Sequence, residues 1–172
     1  MANPLAVTAA DLLRRPGTER TIDLACSTDE LGLHDERFEA GAEVAVRLHL
    51  ESLTDGVVAD GSIDAPWVGT CRRCLQPAAG VQHIEVHELY QPVVVDPDAF
   101  PIDGDLLDLA PMVREAVLLD APVNPLCRAD CAGLCPTCGA DRNVESCLCE
   151  PPPADDRWHA LEGLRGLLGD ER

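Results

Sequence analysis

Lysine is absent from the 172 residues, and the 13 basic side chains, all arginine, are outnumbered by 31 aspartates and glutamates. The formal net charge is therefore -18 at pH 7. Such a charge repels phosphate backbones, so the composition excludes non-specific electrostatic binding to nucleic acids. We expect any contact with RNA to be local or indirect.

Long hydrophobic runs are also missing. No stretch approaches the roughly 18 apolar residues of a membrane-spanning helix, and residues 1–7 lack the basic and apolar regions of a secretory signal peptide. We therefore expect a cytoplasmic protein that does not contact a membrane. Aromatic residues are scarce at 3%, whereas hydrophobic residues reach 46%, which predicts a folded chain with an aliphatic core.

The short signatures of common enzymes do not occur. The chain contains no Gly-x-Gly-x-x-Gly, no P-loop and no Gly-x-Ser-x-Gly sequence. Nothing in it therefore predicts a bound dinucleotide, a phosphate cradle or a serine nucleophile. We expect no catalytic residues and no small-molecule substrate, and hence a protein that is not an enzyme.

Alternation of apolar and polar residues is the clearest structural pattern. Every second residue from Val44 to Leu50 is apolar, which is the period of a strand with one buried face. Asp55 and Gly56 then predict a hairpin turn. The alternation resumes at Val57 and continues to about residue 68, so two long antiparallel strands are predicted.

Two further strands complete the predicted sheet. Residues 81–95 form a third long strand after a turn at residues 77–80, and residues 20–26 form a strand at the edge or end. His83 and His87 are expected to face solvent on the third strand, with the apolar residues beside them pointing inward.

Two helices are expected outside the sheet. Residues 8–14 predict a short helical turn. Asp108 is expected to cap a helix over residues 108–119, whose apolar residues recur at i, i+3, i+4, i+7 and i+8 and so form one stripe that faces the sheet. Residues 96–108 carry five aspartates and are predicted to be a solvated acidic loop.

These elements predict an α+β fold, a mainly antiparallel β-meander sheet with one packed helix and a C-terminal zinc-binding segment. We expect three parts: the sheet domain at residues 1–122, the cysteine-rich zinc segment at residues 123–150, and a final part at residues 151–172. The final part is predicted to be a proline-rich spacer and a short helix that begins at Asp156.

The cysteines predict a metal site. There are nine, an odd number, and a chain expected in a reducing compartment is expected to use them as ligands and not as disulfides. Cys135-Pro-Thr-Cys138-Gly has the spacing of a zinc knuckle, a tight turn whose N–H groups point at two sulfurs. Cys127 and Cys131 are the preferred remaining ligands, because a spacing of four places both thiols on one side of a helical turn.

Alternatives to this quartet remain open. Cys147 and Cys149 could supply the last two ligands if their segment forms a curled turn. An iron–sulfur cluster is a second possibility, although its common motifs are tighter repeats of Cys-x-x-Cys. We expect one structural Zn²⁺, because no open coordination position or general base can be assigned.

Cys71-Arg-Arg-Cys74 is a separate pair at the tip between two predicted strands. Three interpretations stand: two free thiols, half of a metal site, or a redox pair whose thiolates the arginines stabilise. A redox pair of the thioredoxin type opens a helix, whereas this one leads into a strand. Arg72 and Arg73 form a basic pair in an acidic chain and are candidates for contact with RNA or another phosphate.

Five motifs in this order resemble the bacterial YceD family, known as large ribosomal RNA subunit accumulation proteins. They lie at residues 11–17, 69–77, 108–115, 125–139 and 156–158. The most specific of them reads Pro-Leu-Cys-Arg-Ala-Asp-Cys-Ala-Gly-Leu-Cys-Pro-Thr-Cys-Gly. The resemblance spans nearly the whole chain.

The resemblance implies a role in the synthesis, processing or stability of large-subunit (23S) ribosomal RNA, and it does not imply an enzyme. The expected partner is a precursor of the large ribosomal subunit. Because the charge disfavours RNA, a basic ribosomal protein is the expected point of contact. Two other functions are kept open: a thiol oxidoreductase that uses Cys71 and Cys74, and a zinc-ribbon adaptor between proteins.

Overall fold

A five-stranded sheet is the main feature of the computed structural model, which describes residues 3–150. A pair of short strands and two helices accompany it, so the fold is α+β with a mostly antiparallel sheet, as predicted. In chain order the elements are β1 (Ala6–Thr8), α1 (Ala10–Arg14), β2 (Glu19–Ser27), β3 (Glu43–Ser52), β4 (Val57–Thr70), β5 (Pro77–Gln91), β6 (Phe100–Pro101), β7 (Leu106–Asp108) and α2 (Ala110–Asp120).

The alternating segments form the sheet in the order of the sequence. Strands β2, β3, β4 and β5 are antiparallel neighbours, and β6 joins β5 in parallel at the far edge. The predicted meander and its edge strand are therefore confirmed. Val46 lies opposite Leu24 on one side and Ile63 on the other, so apolar side chains of adjacent strands share one face.

The core lies between the inner face of the sheet and the two helices. Leu12 of α1, and Met112, Val113 and Val117 of α2, are almost completely buried, which confirms that the apolar stripe of α2 packs inward. On β5, Ile84 is buried. His83 and His87 are exposed on the opposite face, as predicted.

The turn predicted at residues 77–80 is wrong, because these residues begin β5. The chain reverses earlier, at residues 71–76, where a turn formed by the two cysteines connects β4 to β5. Pro77 is tolerated because it is the first residue of the strand, where a missing N–H costs little of the ladder. At its other end, β5 stops at Gln91 and not at residue 95.

The acidic stretch, residues 96–108, is only partly the loop that the sequence predicts. It contains β6 and β7, and Ile102 and Leu107 anchor it in the core. Four of its five aspartates are exposed at the surface. These are Asp96, Asp98, Asp103 and Asp105.

The prediction that Asp108 caps the second helix is wrong, because α2 begins at Ala110 and its N-cap residue is Leu109, which makes no side-chain cap hydrogen bond. The Asp108 carboxylate accepts a hydrogen bond of 3.0 Å from the N–H of Ala110. Residues 151–172, with the helix predicted from Asp156, lie outside the described residues. Within residues 3–150, neither helix is long and apolar enough to cross a membrane.

Candidate metal centres

Eight of the nine cysteines gather into two groups of four. We call Cys71, Cys74, Cys127 and Cys131 the hairpin cluster, and Cys135, Cys138, Cys147 and Cys149 the terminal cluster. In each cluster the four sulfur atoms lie within 4.8 Å of one another. The ninth cysteine, Cys26, is buried in the main core.

Each cluster is built on the same turn. In the hairpin cluster the N–H of Leu75 donates to the carbonyl of Cys71 at 2.9 Å, and the N–H of Cys71 donates to the carbonyl of Gln76 at 2.8 Å. The terminal cluster repeats this pattern, from Gly139 to Cys135 at 2.9 Å and from Cys135 to residue 140 at 2.8 Å. Both Cys-x-x-Cys sequences therefore form the same backbone turn, which we call a knuckle.

The sulfur spacing fits one tetrahedral ion in the hairpin cluster. The Sγ atoms of Cys71 and Cys131 are 3.8 Å apart, and those of Cys74 and Cys127 are 3.6 Å apart. Four sulfurs that surround a zinc ion at about 2.3 Å are expected to lie about 3.8 Å from one another. A disulfide would bring two sulfurs to about 2 Å, so these cysteines are not paired in disulfides, and the four sulfurs could hold one metal ion.

The two clusters differ in their exposure to solvent. In the hairpin cluster Cys71 is completely buried, and Cys74 and Cys131 are only 2% and 3% exposed. Cys127 is the exposed member of the hairpin cluster, whereas the terminal cluster has two exposed members, Cys138 and Cys149. The hairpin cluster is thus the more enclosed of the two.

The surroundings of the sulfurs shift their pKa values in opposite directions. The N–H of Cys127 is the main group that lowers the pKa of Cys71 to about 6, and the N–H of Cys138 does the same for Cys135. Cys127 and Cys149 have their pKa raised to about 12 because their thiols donate to a neighbouring sulfur. Each cluster therefore contains one thiol whose ionisation is favoured and one whose ionisation is opposed, and a bound metal would displace the protons that remain on the sulfurs.

The structure divides the quartet that the sequence predicts. Its first two members, Cys127 and Cys131, belong to the hairpin cluster. Its last two, Cys135 and Cys138, belong to the terminal cluster together with the predicted alternates, Cys147 and Cys149. The division arises because the segment after α2 lies against the hairpin tip, where the N–H of Arg72 donates to the carbonyl of Pro125 at 2.9 Å.

Arg72 and Arg73 lie between the first two ligands of the hairpin cluster, and both are exposed. The guanidinium of Arg73 donates to the carbonyls of Ala129 and Cys131 at 3.3 and 3.0 Å. Its charge is therefore partly used within the protein. Contact between this pair and a phosphate remains a prediction.

Sequence reasoning missed Asn143. Its side-chain N–H₂ donates to the sulfur of Cys131 at 3.4 Å, and its side-chain oxygen accepts from the N–H of Ala132 at 2.8 Å. An amide between two pairs of cysteines gives no spacing pattern that would single it out. The sequence did contain a signal for the grouping of Cys71 and Cys74 with other cysteines. If each of the two Cys-x-x-Cys pairs is joined by two further cysteines, the two resulting quartets account for eight of the nine cysteines.

Comparison with known proteins identifies the family to which the chain is similar. The family model described as large ribosomal RNA subunit accumulation protein YceD matches residues 59–165. An uncharacterized protein of Mycobacterium tuberculosis is 34% identical over 178 aligned residues, which cover 99% of this chain and 86% of the relative. No solved structure matches the chain.

Two plant proteins share a shorter stretch. The large ribosomal RNA subunit accumulation protein YCED homolog 1, chloroplastic, of Zea mays is 36% identical over 71 residues, or 41% of this chain and 22% of the relative. The protein of the same name in Arabidopsis thaliana is 30% identical over 66 residues, or 38% of this chain and 21% of the relative. With the family model covering most of the chain, this protein belongs to the YceD family of large ribosomal RNA subunit accumulation proteins.

Proposed function

We propose that the protein is a non-enzymatic factor in the synthesis, processing or stability of large-subunit (23S) ribosomal RNA. The observation that carries this proposal is the family match over residues 59–165, a range that includes most of β4, all of β5 and both cysteine clusters. The two plant relatives, whose names refer to accumulation of the large ribosomal RNA subunit, support the same role.

The burial of the hairpin thiols supports a structural role over a thiol oxidoreductase. A catalytic thiolate must reach the disulfide of its substrate, and reactive cysteines are accordingly partly exposed. Cys71 has no exposed surface and Cys74 is 2% exposed. Both sulfurs instead contact those of Cys131 and Cys127.

Zinc is the metal that we propose for the clusters. Four thiolates at tetrahedral spacing are typical of structural zinc sites. In an iron–sulfur cluster the four cysteines bind two or more iron atoms, and sulfurs on different irons lie farther apart than the 4.8 Å within which all four sulfurs of each cluster lie. The ion would stabilise the fold of residues 123–150 and supply no reaction chemistry.

A basic ribosomal protein is the partner that the surface supports best. Beside the acidic stretch lies a groove of about 840 Å³, lined by apolar side chains that include Leu53, Val93 and Val95. Asp55 and Asp96 also line it. Carboxylates around an apolar groove suit a segment that carries an apolar side chain flanked by arginine or lysine.

Under this proposal the protein contacts RNA only at the tip of the hairpin. Arg72 and Arg73 project from the hairpin tip and would supply a local phosphate contact, with the ribosomal protein holding the acidic face. Long-range attraction between the acidic face and a basic protein raises the rate of association. This attraction weakens as salt is added, because the Debye length is about 10 Å at 0.1 M.

Deletion of the gene tests the role directly. We expect the amount of large-subunit RNA to fall relative to small-subunit RNA, and a wild-type copy of the gene to restore the ratio. An unchanged ratio under several growth conditions would count against the proposed function.

A charge variant and a matched control test the partner. Both variants remove four negative charges, but only the first removes them from the acidic stretch. The first carries Asp96→Asn, Asp98→Asn, Asp103→Asn and Asp105→Asn. The control changes four exposed residues of β2 and β3 by Glu19→Gln, Asp23→Asn, Glu43→Gln and Glu51→Gln.

We expect the first variant to co-purify less large-subunit precursor and to show a weaker dependence on salt, and the control to resemble the wild type. If both variants bind alike while Arg72→Ala with Arg73→Ala abolishes binding, the contact is made through RNA and the proposed partner is wrong.

A further inference from the structure

We propose that the hairpin cluster is a zinc site that fastens the cysteine-rich segment to the tip of the β4–β5 hairpin. The site joins Cys71 and Cys74, from the turn between two strands, to Cys127 and Cys131, from the chain after α2. We call residues 125–134 the fastened segment. This role in folding is independent of the ribosomal role, so either can fail without the other.

Few other interactions hold the fastened segment in place. Residues 121–133 form neither a helix nor a strand. Two backbone hydrogen bonds of 2.9 Å attach the segment to the hairpin tip, from Arg72 to Pro125 and from Leu134 to Arg73. The Arg73 guanidinium adds bonds to two more carbonyls of the segment. Because water competes for backbone bonds at an exposed tip, each of them contributes only a small net stabilisation.

The apolar contacts at the tip are too small to replace a metal ion. A minor core separate from the main one surrounds the sulfurs, and its buried members are Cys71, Cys74, Ala78 and Cys131. Trp67, Leu126 and Leu134 pack against it but are only partly buried. Because three of the four buried residues are ligands, the metal site is itself the centre of this minor core.

The site closes long loops of the chain. Cys74 and Cys127 are 53 residues apart, and Cys71 and Cys131 are 60 residues apart. Bringing such distant residues together costs conformational entropy, and a metal ion that clips a long loop offsets that cost. The tight fit at Gly133 shows how closely the segment follows the hairpin, because a Cβ there would lie 3.0 Å from the carbonyl oxygen of Arg73.

The terminal cluster supports the hairpin cluster through Asn143. This residue lies in the loop between the knuckle at Cys135 and Cys138 and the last two ligands. Its N–H₂ group reaches the sulfur of Cys131 at 3.4 Å. A hydrogen bond to a coordinated thiolate orients the ligand and stabilises its charge. Metal at the terminal cluster therefore orders a loop that completes the surroundings of the hairpin cluster.

Two double variants of the full chain distinguish the clusters, because each removes two ligands from one of them. One carries Cys71→Ser and Cys74→Ser, and its matched control carries Cys147→Ser and Cys149→Ser. After purification under reducing conditions, we expect about two zinc ions in the wild type and about one in each variant. Amide hydrogen exchange in the fastened segment should accelerate about tenfold or more in the first variant and by clearly less in the control, which loses only the support given by the Asn143 loop.

The proposal fails if the first variant keeps the zinc content of the wild type, or if its fastened segment exchanges as slowly as before. A cobalt titration of the wild-type chain covers the case in which that variant does not fold. Absorption from thiolate-bound cobalt should rise until about two equivalents are added. A plateau at about one equivalent would show that the chain binds only one ion, and it would overturn the proposal of two zinc sites.

Discussion

Leu75 adopts the backbone conformation of Gly139. Each follows the second cysteine of a knuckle, and φ is 60° at Leu75 and 76° at Gly139. Glycine adopts this left-handed region freely, whereas a residue with a side chain loses roughly 1–2 kcal/mol there. Leu75 is 63% exposed, so burial of its side chain does little to offset the strain. The fold accepts this strain to form the knuckle of the hairpin cluster.

Replacing Leu75 by glycine should relieve the strain. We expect Leu75→Gly to raise the free energy of unfolding of the zinc-loaded protein by about 1 kcal/mol, and Gly139→Leu to lower it by at least as much. Denaturant unfolding, with zinc content measured in parallel, checks both. If Leu75→Gly destabilises the protein, the leucine side chain contributes a contact that outweighs the strain.

Asn143 should tune the affinity of the hairpin cluster. Asn143→Asp keeps the oxygen that accepts from Ala132 but replaces the N–H₂ donor with a carboxylate beside the thiolates. We expect zinc at this cluster to bind roughly 10- to 100-fold more weakly, which competition with a chelator measures. Asn124→Asp, at an exposed position that belongs to neither cluster, is the matched control. Equal affinities in the two variants would show that the bond to Cys131 is unimportant.

The difference in exposure predicts the order of metal release. A chelator reaches the exposed sulfurs of the terminal cluster more easily than those of the hairpin cluster. Zinc release from the wild type should therefore show a fast and a slow phase. The variant with Cys147→Ser and Cys149→Ser should retain only the slow phase. If that variant retained only the fast phase, the hairpin cluster would be the site that releases zinc first, contrary to this prediction.

His83 should titrate above its ordinary pKa of 6.5, mainly because of its 2.6 Å hydrogen bond to the Asp64 carboxylate, with Glu85 adding to the shift. Since the folded pKa is raised, protonated His83 stabilises the fold fully below pH 6.5, and this contribution is lost as the pH rises through the folded value. An NMR titration checks the direction. Asp64→Asn should lower the pKa of His83, and an unchanged value would remove Asp64 as the cause.

Local patterns sufficed to predict most of the sheet. The alternation from Val44 to Leu50 and after Val57 arises from one buried face, and burial on that face is what the structure shows. The start of β5 could not be predicted in the same way. Residues 77–80 resemble a turn, but the reversal at Cys71 and Cys74 comes first and leaves them to the strand.

The grouping of the cysteines depends on distant contacts, which sequence spacing does not describe. The knuckle at Cys135 and Cys138 is local and was predicted as a pair of ligands. The partners of Cys71 and Cys74 lie 60 and 53 residues away, and only the path of the chain after α2 brings them together. Spacing alone therefore favoured neighbours in sequence, Cys127 and Cys131, as partners of the knuckle at Cys135.

The most direct test of the two-centre arrangement is NMR of the full chain loaded with cadmium-113, which correlates each ion with the β protons of its cysteine ligands. Two cadmium resonances are expected. One should correlate with the four residues of the hairpin cluster and the other with the four residues of the terminal cluster. A single resonance correlated with Cys127, Cys131, Cys135 and Cys138 would contradict the two-centre arrangement.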